Sequence, residues 1–172
     1  NIKKFFKLKK KLKSYLVEDS CHAFGAKYKI NKTNYKIGCC KHSDISTFSF
    51  HPLKSITTGE GGMVATNNLK IFRKLNLLRS NGIKRTNKHW FYDVKMYGYN
   101  YRISDINCSL GLSQVKKVES FIKKRVEIAK FYQKNLTKRI KIVNTVENDP
   151  GNSWHLYLIQ LNGSYHSKEM FM

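Results

Sequence analysis

The chain has 172 residues, with 33 lysines and arginines against 11 aspartates and glutamates, a net charge of +22. A hydrophobic fraction of 41% suffices for a buried core and excludes a disordered chain. No run reaches the roughly 20 consecutive apolar residues of a membrane helix. The basic start, Asn1-Ile2-Lys3-Lys4-Phe5-Phe6-Lys7, lacks the features of a signal peptide, which leaves the cytoplasm as the expected location.

Residues 2–12 place apolar side chains at 2, 5, 6, 8 and 12 among lysines, the spacing of an amphipathic surface helix. Residues 14–19 (SYLVED) read as a short buried strand ending in two carboxylates. Residues 25–38 form a loop or hairpin with its polar tip at 31–34. Residues 45–50 are rich in β-formers, 51–62 carry a proline and three glycines and cannot be regular, and 62–66 are a further short strand. Asn68 is placed to cap a helix over 69–80 that Asn81-Gly82 closes. Residues 85–101 are aromatic and irregular. Ser104 or Asp105 starts a long helical region to about Leu136, with a break expected near Glu119-Ser120. Residues 148–152 (NDPGN) make a turn and 154–161 a strand. Strands alternating with helices indicate an α/β layered fold. The opening on Asn1 inside a helical run, and a close without a stop signal, suggest a piece of a longer protein.

The positive charge admits nucleic acid as a partner, with Tyr97, Tyr99 and Tyr101 available to stack bases. The lysines are spread along the whole chain, however, and asparagine and isoleucine are also abundant. A general coding bias therefore explains the charge better than a nucleic-acid surface does. Cys21, Cys39, Cys40 and Cys108 form no C-x-x-C pair, and reduced structural thiols are expected, with no metal.

Three segments carry candidate chemistry. In the first, Asp19 ends a strand, where α/β sheets bind ligands; the competing reading is a turn cap. The second sets Lys54 in a Gly/Thr-rich segment after a strand, where an amine can be positioned to form an imine with a carbonyl. The competing reading there is one more surface lysine. A phosphate loop is excluded, because G-x-x-x-x-G-K-[ST] does not occur. The third joins an aromatic loop at 97–101 to a helix start whose amides can hold an anion, or that is an ordinary capped helix.

Taken together, residues 18–26 (EDSCHAFGA), 49–62 (SFHPLKSITTGEGG), 99–107 (YNYRISDIN) and 111–119 (GLSQVKKVE) resemble the sugar aminotransferases among the fold type I pyridoxal-phosphate enzymes. The resemblance runs to about Leu161. The wording of residues 49–62 looks most like members that aminate a UDP-linked 4-keto-6-deoxy sugar in pseudaminic acid biosynthesis.

This resemblance implies part of the cofactor-binding large domain over residues 1–136, a mixed, mostly parallel sheet with helices. It also implies the truncated start of a small C-terminal domain over 137–172. Lys54 would carry pyridoxal 5'-phosphate and move the proton. Asp19 would pair with the cofactor's ring nitrogen, and His22 would stand near its phenolic oxygen. Ser49 would bind its phosphate, and Asn100 would reach the phosphate of the neighbouring subunit's cofactor in a homodimer with shared sites. A nucleotide sugar and an amino-acid donor, glutamate, would be the substrates. Sugar dehydratases of the same family carry His in place of the lysine, so Lys54 points to transamination. The family's upstream phosphate-binding turn, its ring-stacking aromatic and many sugar contacts are not among these residues, so the piece by itself is expected to be inactive.

Overall fold

The computed structural model describes residues 2–85, 90–136, 140–142 and 151–161. Helix α1 (Ile2–Leu12) lies on the surface; it turns Phe6 edge-on to His42 and is held by an ion pair from Lys9 to Asp44 at 2.6 Å. Strand β1 (Val17–Asp19) follows, then a hairpin of β2 (Lys27–Ile30) and β3 (Thr33–Lys36) whose turn puts Asn31 at φ 55°. Strands β4 (Ile45–Ser49) and β5 (Gly62–Ala65) complete a sheet of order β1-β4-β5. In it β1 runs parallel to β4, with Asp19 opposite Thr47. β5 runs antiparallel to β4, with Gly62 opposite Ser49. The sheet is therefore mixed, as expected, and the carboxyl ends of β1 and β4 lie at one edge.

Burial alternates along β4, as the period of a strand requires, with Ser46 and Phe48 buried on one face. Phe48 meets Phe24 edge-on at 5.4 Å, and Phe24 meets Phe50 at 5.5 Å. Ile56, at 2% exposure, belongs to the same small core.

Helix α2 (Leu69–Arg79) starts as the sequence indicates. The Asn68 side chain accepts from the amides of Lys70 and Ile71, and the helix ends at Ser80, with Asn81 and Gly82 both at positive φ. Residues 85–101 are more regular than expected: strand β6 (Ile83–Arg85) pairs antiparallel with β7 (Tyr92–Val94). Each has three residues, too few for an alternation to be read from sequence. Ser104 caps helix α3 (Asp105–Val115) by accepting from the amide of Asn107. The break before helix α4 (Val118–Asn135) falls at Lys116-Lys117, ahead of the expected position.

Strands β8 (Ile140–Ile142) and β9 (Ile159–Leu161) pair antiparallel. The strand expected over 154–161 is thus confined to its last three residues. The carbonyls of Trp154 and His155 are taken by Arg125 instead of a ladder, and Trp154 sits at φ 49°. Strand β1 is likewise shorter than the expected 14–19, with Val17 exposed. Residues 148–150 of the expected turn and residues 162–172 lie outside the described residues, and the domain boundary expected at 136–137 falls beside residues 137–139, also outside them.

Candidate active site

The sheet brings the first two candidate segments to one edge. Asp19 and Thr47 are registered partners in a parallel pair, so they emerge on the same face, and Ser49 follows Thr47 on that face by the period of two. Beyond Ser49 the chain leaves β4 and forms the loop over 50–61 that carries Lys54, then re-enters the sheet at Gly62. That loop is closed by its own backbone. The amide of Phe50 donates to the carbonyl of Gly61 at 2.8 Å, and the amide of Thr58 to the carbonyl of Phe50 at 3.0 Å. Lys54 is half-buried, its amide donating to the carbonyl of His51 at 2.9 Å. Ser49 Oγ accepts the amide of His51 at 3.4 Å, which leaves its hydroxyl hydrogen free to donate elsewhere.

Charge gathers here. The Cys21 side chain and amide hydrogen-bond to the Asp19 carboxylate, and His22 and Lys54 add positive charge; together they hold that carboxyl below its ordinary value. Asp19 is therefore ionised at neutral pH. The same contact, with burial, pushes the Cys21 thiol up, so Cys21 stays a neutral donor. Lys54 is close enough for its charge to act on Asp19, Cys21 and His155.

A later stretch folds back over His22. The ring of His155 lies 4.5 Å from that of His22, and the hydroxyl of Ser153, itself 1% exposed, points to the carbonyl of His22 at 3.5 Å. Arg125 of α4 fixes this stretch by donating to the carbonyls of Trp154 and His155, both at 3.2 Å. Burial first, then the charges of His22, Lys54 and Arg125, hold His155 below the usual imidazole range, so it is neutral at pH 7. Its Nδ1 is buried with no hydrogen-bond partner among the described residues, as is the Tyr157 hydroxyl. Both residues line a cavity of about 170 Å³ with Arg125, Tyr132 and Trp154.

Asp19, His22, Ser49 and Lys54 thus belong to one sheet edge. Asn100 is held by a different part of the fold: it is exposed, and its backbone bridges Ser80 at the end of α2. Tyr99 and Tyr101 beside it stack on each other at 4.9 Å, and Tyr97 is 99% exposed. Cys21, Thr47, Ser153 and His155 were not singled out from sequence. Cys21 carried a readable signal, lying in the Asp19 segment, whereas Thr47 is set opposite Asp19 only by the strand register. His155 carried none, being brought to His22 by tertiary folding alone.

The sequence profile of the DegT/DnrJ/EryC1/StrS aminotransferase family matches residues 1–172. The chain belongs to this family. Among relatives, it is 43% identical over 159 residues to the UDP-4-amino-4,6-dideoxy-N-acetyl-beta-L-altrosamine transaminase of Campylobacter jejuni serotype O:2, covering 90% of this chain and 39% of that protein. It is 36% identical over 142 residues to the GDP-perosamine synthase of Escherichia coli O157:H7, covering 83% of this chain and 36% of that one. The family chain described here therefore spans well under half the length of the curated relatives it matches. Among solved structures, Helicobacter pylori PseC, an aminotransferase involved in the biosynthesis of pseudoaminic acid, superposes with a TM-score of 0.85 at 33% identity. That match covers 99% of this chain and 44% of the other. A Streptococcus pneumoniae relative in its PLP form superposes with a TM-score of 0.73 at 26% identity, covering 91% of this chain and 40% of its own. The fold is accordingly that of the fold type I aminotransferases, of which these residues form one part.

Proposed function

We propose that the full-length protein is a pyridoxal-phosphate-dependent aminotransferase that moves an amino group, with glutamate as donor, onto a nucleotide-linked 4-keto-6-deoxy sugar, and that Lys54 carries the cofactor. The observation that carries this reading is that Asp19 ends β1 at the same sheet edge where the chain leaves β4 for the Lys54 loop, near enough for the Lys54 charge to act on the Asp19 carboxylate. The donor set fits the cofactor: an ionised carboxylate for a ring nitrogen, an amine for a carbonyl carbon, and a hydroxyl at Ser49 for a phosphate.

When bound, pyridoxal phosphate supplies an electron sink for the carbon that loses its proton. The chain's residues do the rest. Asp19, kept ionised by Cys21 and the nearby positive charges, holds a proton on the ring nitrogen. Lys54 would hold the cofactor through its amine, and as a free amine would carry the proton from the carbon that loses it to the carbon that receives it. Ser49 would donate to the phosphate, and His22, whose ring packs against that of His155, would stand near the phenolic oxygen. Residues 1–136 belong in this reading to the large domain and 137–172 begin the small one. Exposed Asn100, with Tyr97, Tyr99 and Tyr101, would face a second copy, and Asn100 would reach the phosphate of its cofactor.

The likeness to the Campylobacter transaminase supports a UDP-linked sugar. The likeness to GDP-perosamine synthase supports a second reading, the same chemistry on another nucleotide-linked keto sugar. A nucleic-acid-binding module would also use the exposed tyrosines, but leaves the gathering of Asp19 and the Lys54 loop at one sheet edge without a role. Borohydride reduction of the full-length protein, followed by peptide mapping, is expected to leave a pyridoxyl label on Lys54. A label on any other lysine overturns the assignment.

A further inference from the structure

We infer that Asn107 is a positioning residue for Lys54: from the first turn of α3, its carboxamide clasps the far end of the loop that carries the lysine. The inference rests on the reading of Lys54 given above. The bonds already described close the 50–61 loop on itself, and so do the hydroxyl of Thr57, donating to the carbonyl of Phe50 at 3.1 Å, and that of Thr58, donating to the carbonyl of Glu60 at 2.8 Å. They set the loop's shape and leave open how it sits against the other elements.

Helix α3 supplies that attachment. Asn107 Nδ2 donates to the carbonyl of Thr58 at 2.5 Å and reaches that of Glu60 at 3.3 Å. The orientation of the amide is fixed from its other side, because the hydroxyl of Ser104 donates to Asn107 Oδ1 at 2.6 Å. With its acceptor engaged, the amide turns both hydrogens to the loop. One helical turn later, Gly111 lets the helix approach: a Cβ there would stand 2.8 Å from Thr58 Cγ2. Asn107 and Gly111 are four residues apart and so share a helix face. Thr58 is 3% exposed between them and the sheet. Ile103, just before the cap, would meet a Cβ on Gly61 at 2.8 Å, so the contact continues to the loop's last residue. A shift of α3 therefore moves the loop of Lys54, and with it the Asn100 segment that leads into the same helix.

Asparagine is the residue the geometry asks for. Aspartate has the same shape but no hydrogens to give, and sets a carboxylate oxygen against two carbonyls. The test uses the full-length protein carrying Asn107→Asp or, separately, Gly111→Ala, which wedges the same contact without touching the amide. Hydrogen exchange is measured on the cofactor-free protein, and the affinity for added pyridoxal phosphate by titration. Exchange across residues 56–62 is expected to rise by about tenfold in each variant, with exchange in β4 unchanged, and cofactor affinity to fall by about tenfold. Exchange and affinity within twofold of the parent protein in both variants would overturn the inference. So would a rise spread evenly over the whole chain, which marks loss of general stability. Should Asn107→Asp fail to fold, Asn107→Ala takes its place beside Gly111→Ala. The exchange measurement needs no cofactor, so it judges the clasp even if the borohydride map moves the label away from Lys54.

Discussion

Ser20 and Ser46 should behave as a unit, and the size of their coupling can be worked from the structure. Ser20 follows Asp19, and Ser46 lies on β4; their Oγ atoms are 2.8 Å apart, at 1% and 0% exposure. Replacing either one by alanine strands the other hydroxyl away from water, which costs about 1–3 kcal/mol. Replacing both gives up one net hydrogen bond, about 0.5–1.5 kcal/mol, and strands nothing. The double variant Ser20→Ala/Ser46→Ala should therefore be more stable than the sum of the single losses predicts, by about 3 kcal/mol at the middle of those ranges. Urea unfolding of the four proteins in the full-length background measures this as a double-mutant cycle. Losses that add to within about 0.5 kcal/mol would refute the reasoning, because independent sites do that. Serines that act independently would mean that this hydroxyl pair contributes nothing to the docking of β1 on β4, whose register the backbone ladder alone would then hold.

Three further outcomes are expected. Asp19→Asn in the full-length protein should leave the melting temperature near that of the parent, since Asp19 is exposed, yet lower turnover by several powers of ten, each ~1.4 kcal/mol of barrier; near-normal steady-state rates would reduce Asp19 to a turn residue. A Lys54→Ala subunit mixed with an Asn100→Ala subunit should regain part of the lost activity once subunits exchange, because one site then carries both lesions and the other neither; exchange seen by mass spectrometry without regained activity would show that Asn100 serves its own subunit. Burial works against ionisation of Asp44, but the hydrogen bond from Lys9, the Leu16 amide and the Lys9 charge outweigh it and hold its pKa below the ordinary value. Its contribution to stability is thus complete above about pH 4 and is lost as the pH falls through the lowered value; urea melts of Asp44→Asn should show a flatter acid limb than the parent, and identical limbs would contradict the ion pair.

What the sequence discloses depends on how local the cause is. The Asn68 cap acts within three residues, and the 27–36 hairpin, β4 and β5 announce themselves by alternation and bounding turns. The strand pair β6–β7 is hidden because three-residue strands carry no period. At 154–158 the pattern suits a strand, but Arg125, some thirty residues earlier, takes the carbonyls that a ladder would need. The site follows the same rule. Asp19, His22, Ser49 and Lys54 sit in two continuous strings of unusual wording, and the parallel register of β1 on β4 joins those strings. His155 and Asn107 reach the site by contacts across long separations in sequence, with His22 and Thr58; no local pattern marks His155, and Asn107 closes the 99–107 string without that string disclosing its contact.

The three-stranded sheet has a practical consequence. Among the described residues β1 and β5 each pair along one side only, and Val17, Met63 and Val64 on them are exposed. An unpaired strand is a template for any extended polypeptide that meets it. Produced by itself, the chain will recruit copies of itself or of other unfolded proteins and collect in inclusion bodies. Co-expressed with the complementary piece of a full-length relative, it offers that piece a ready seam, and under the proposed function turnover is expected only when the seam closes.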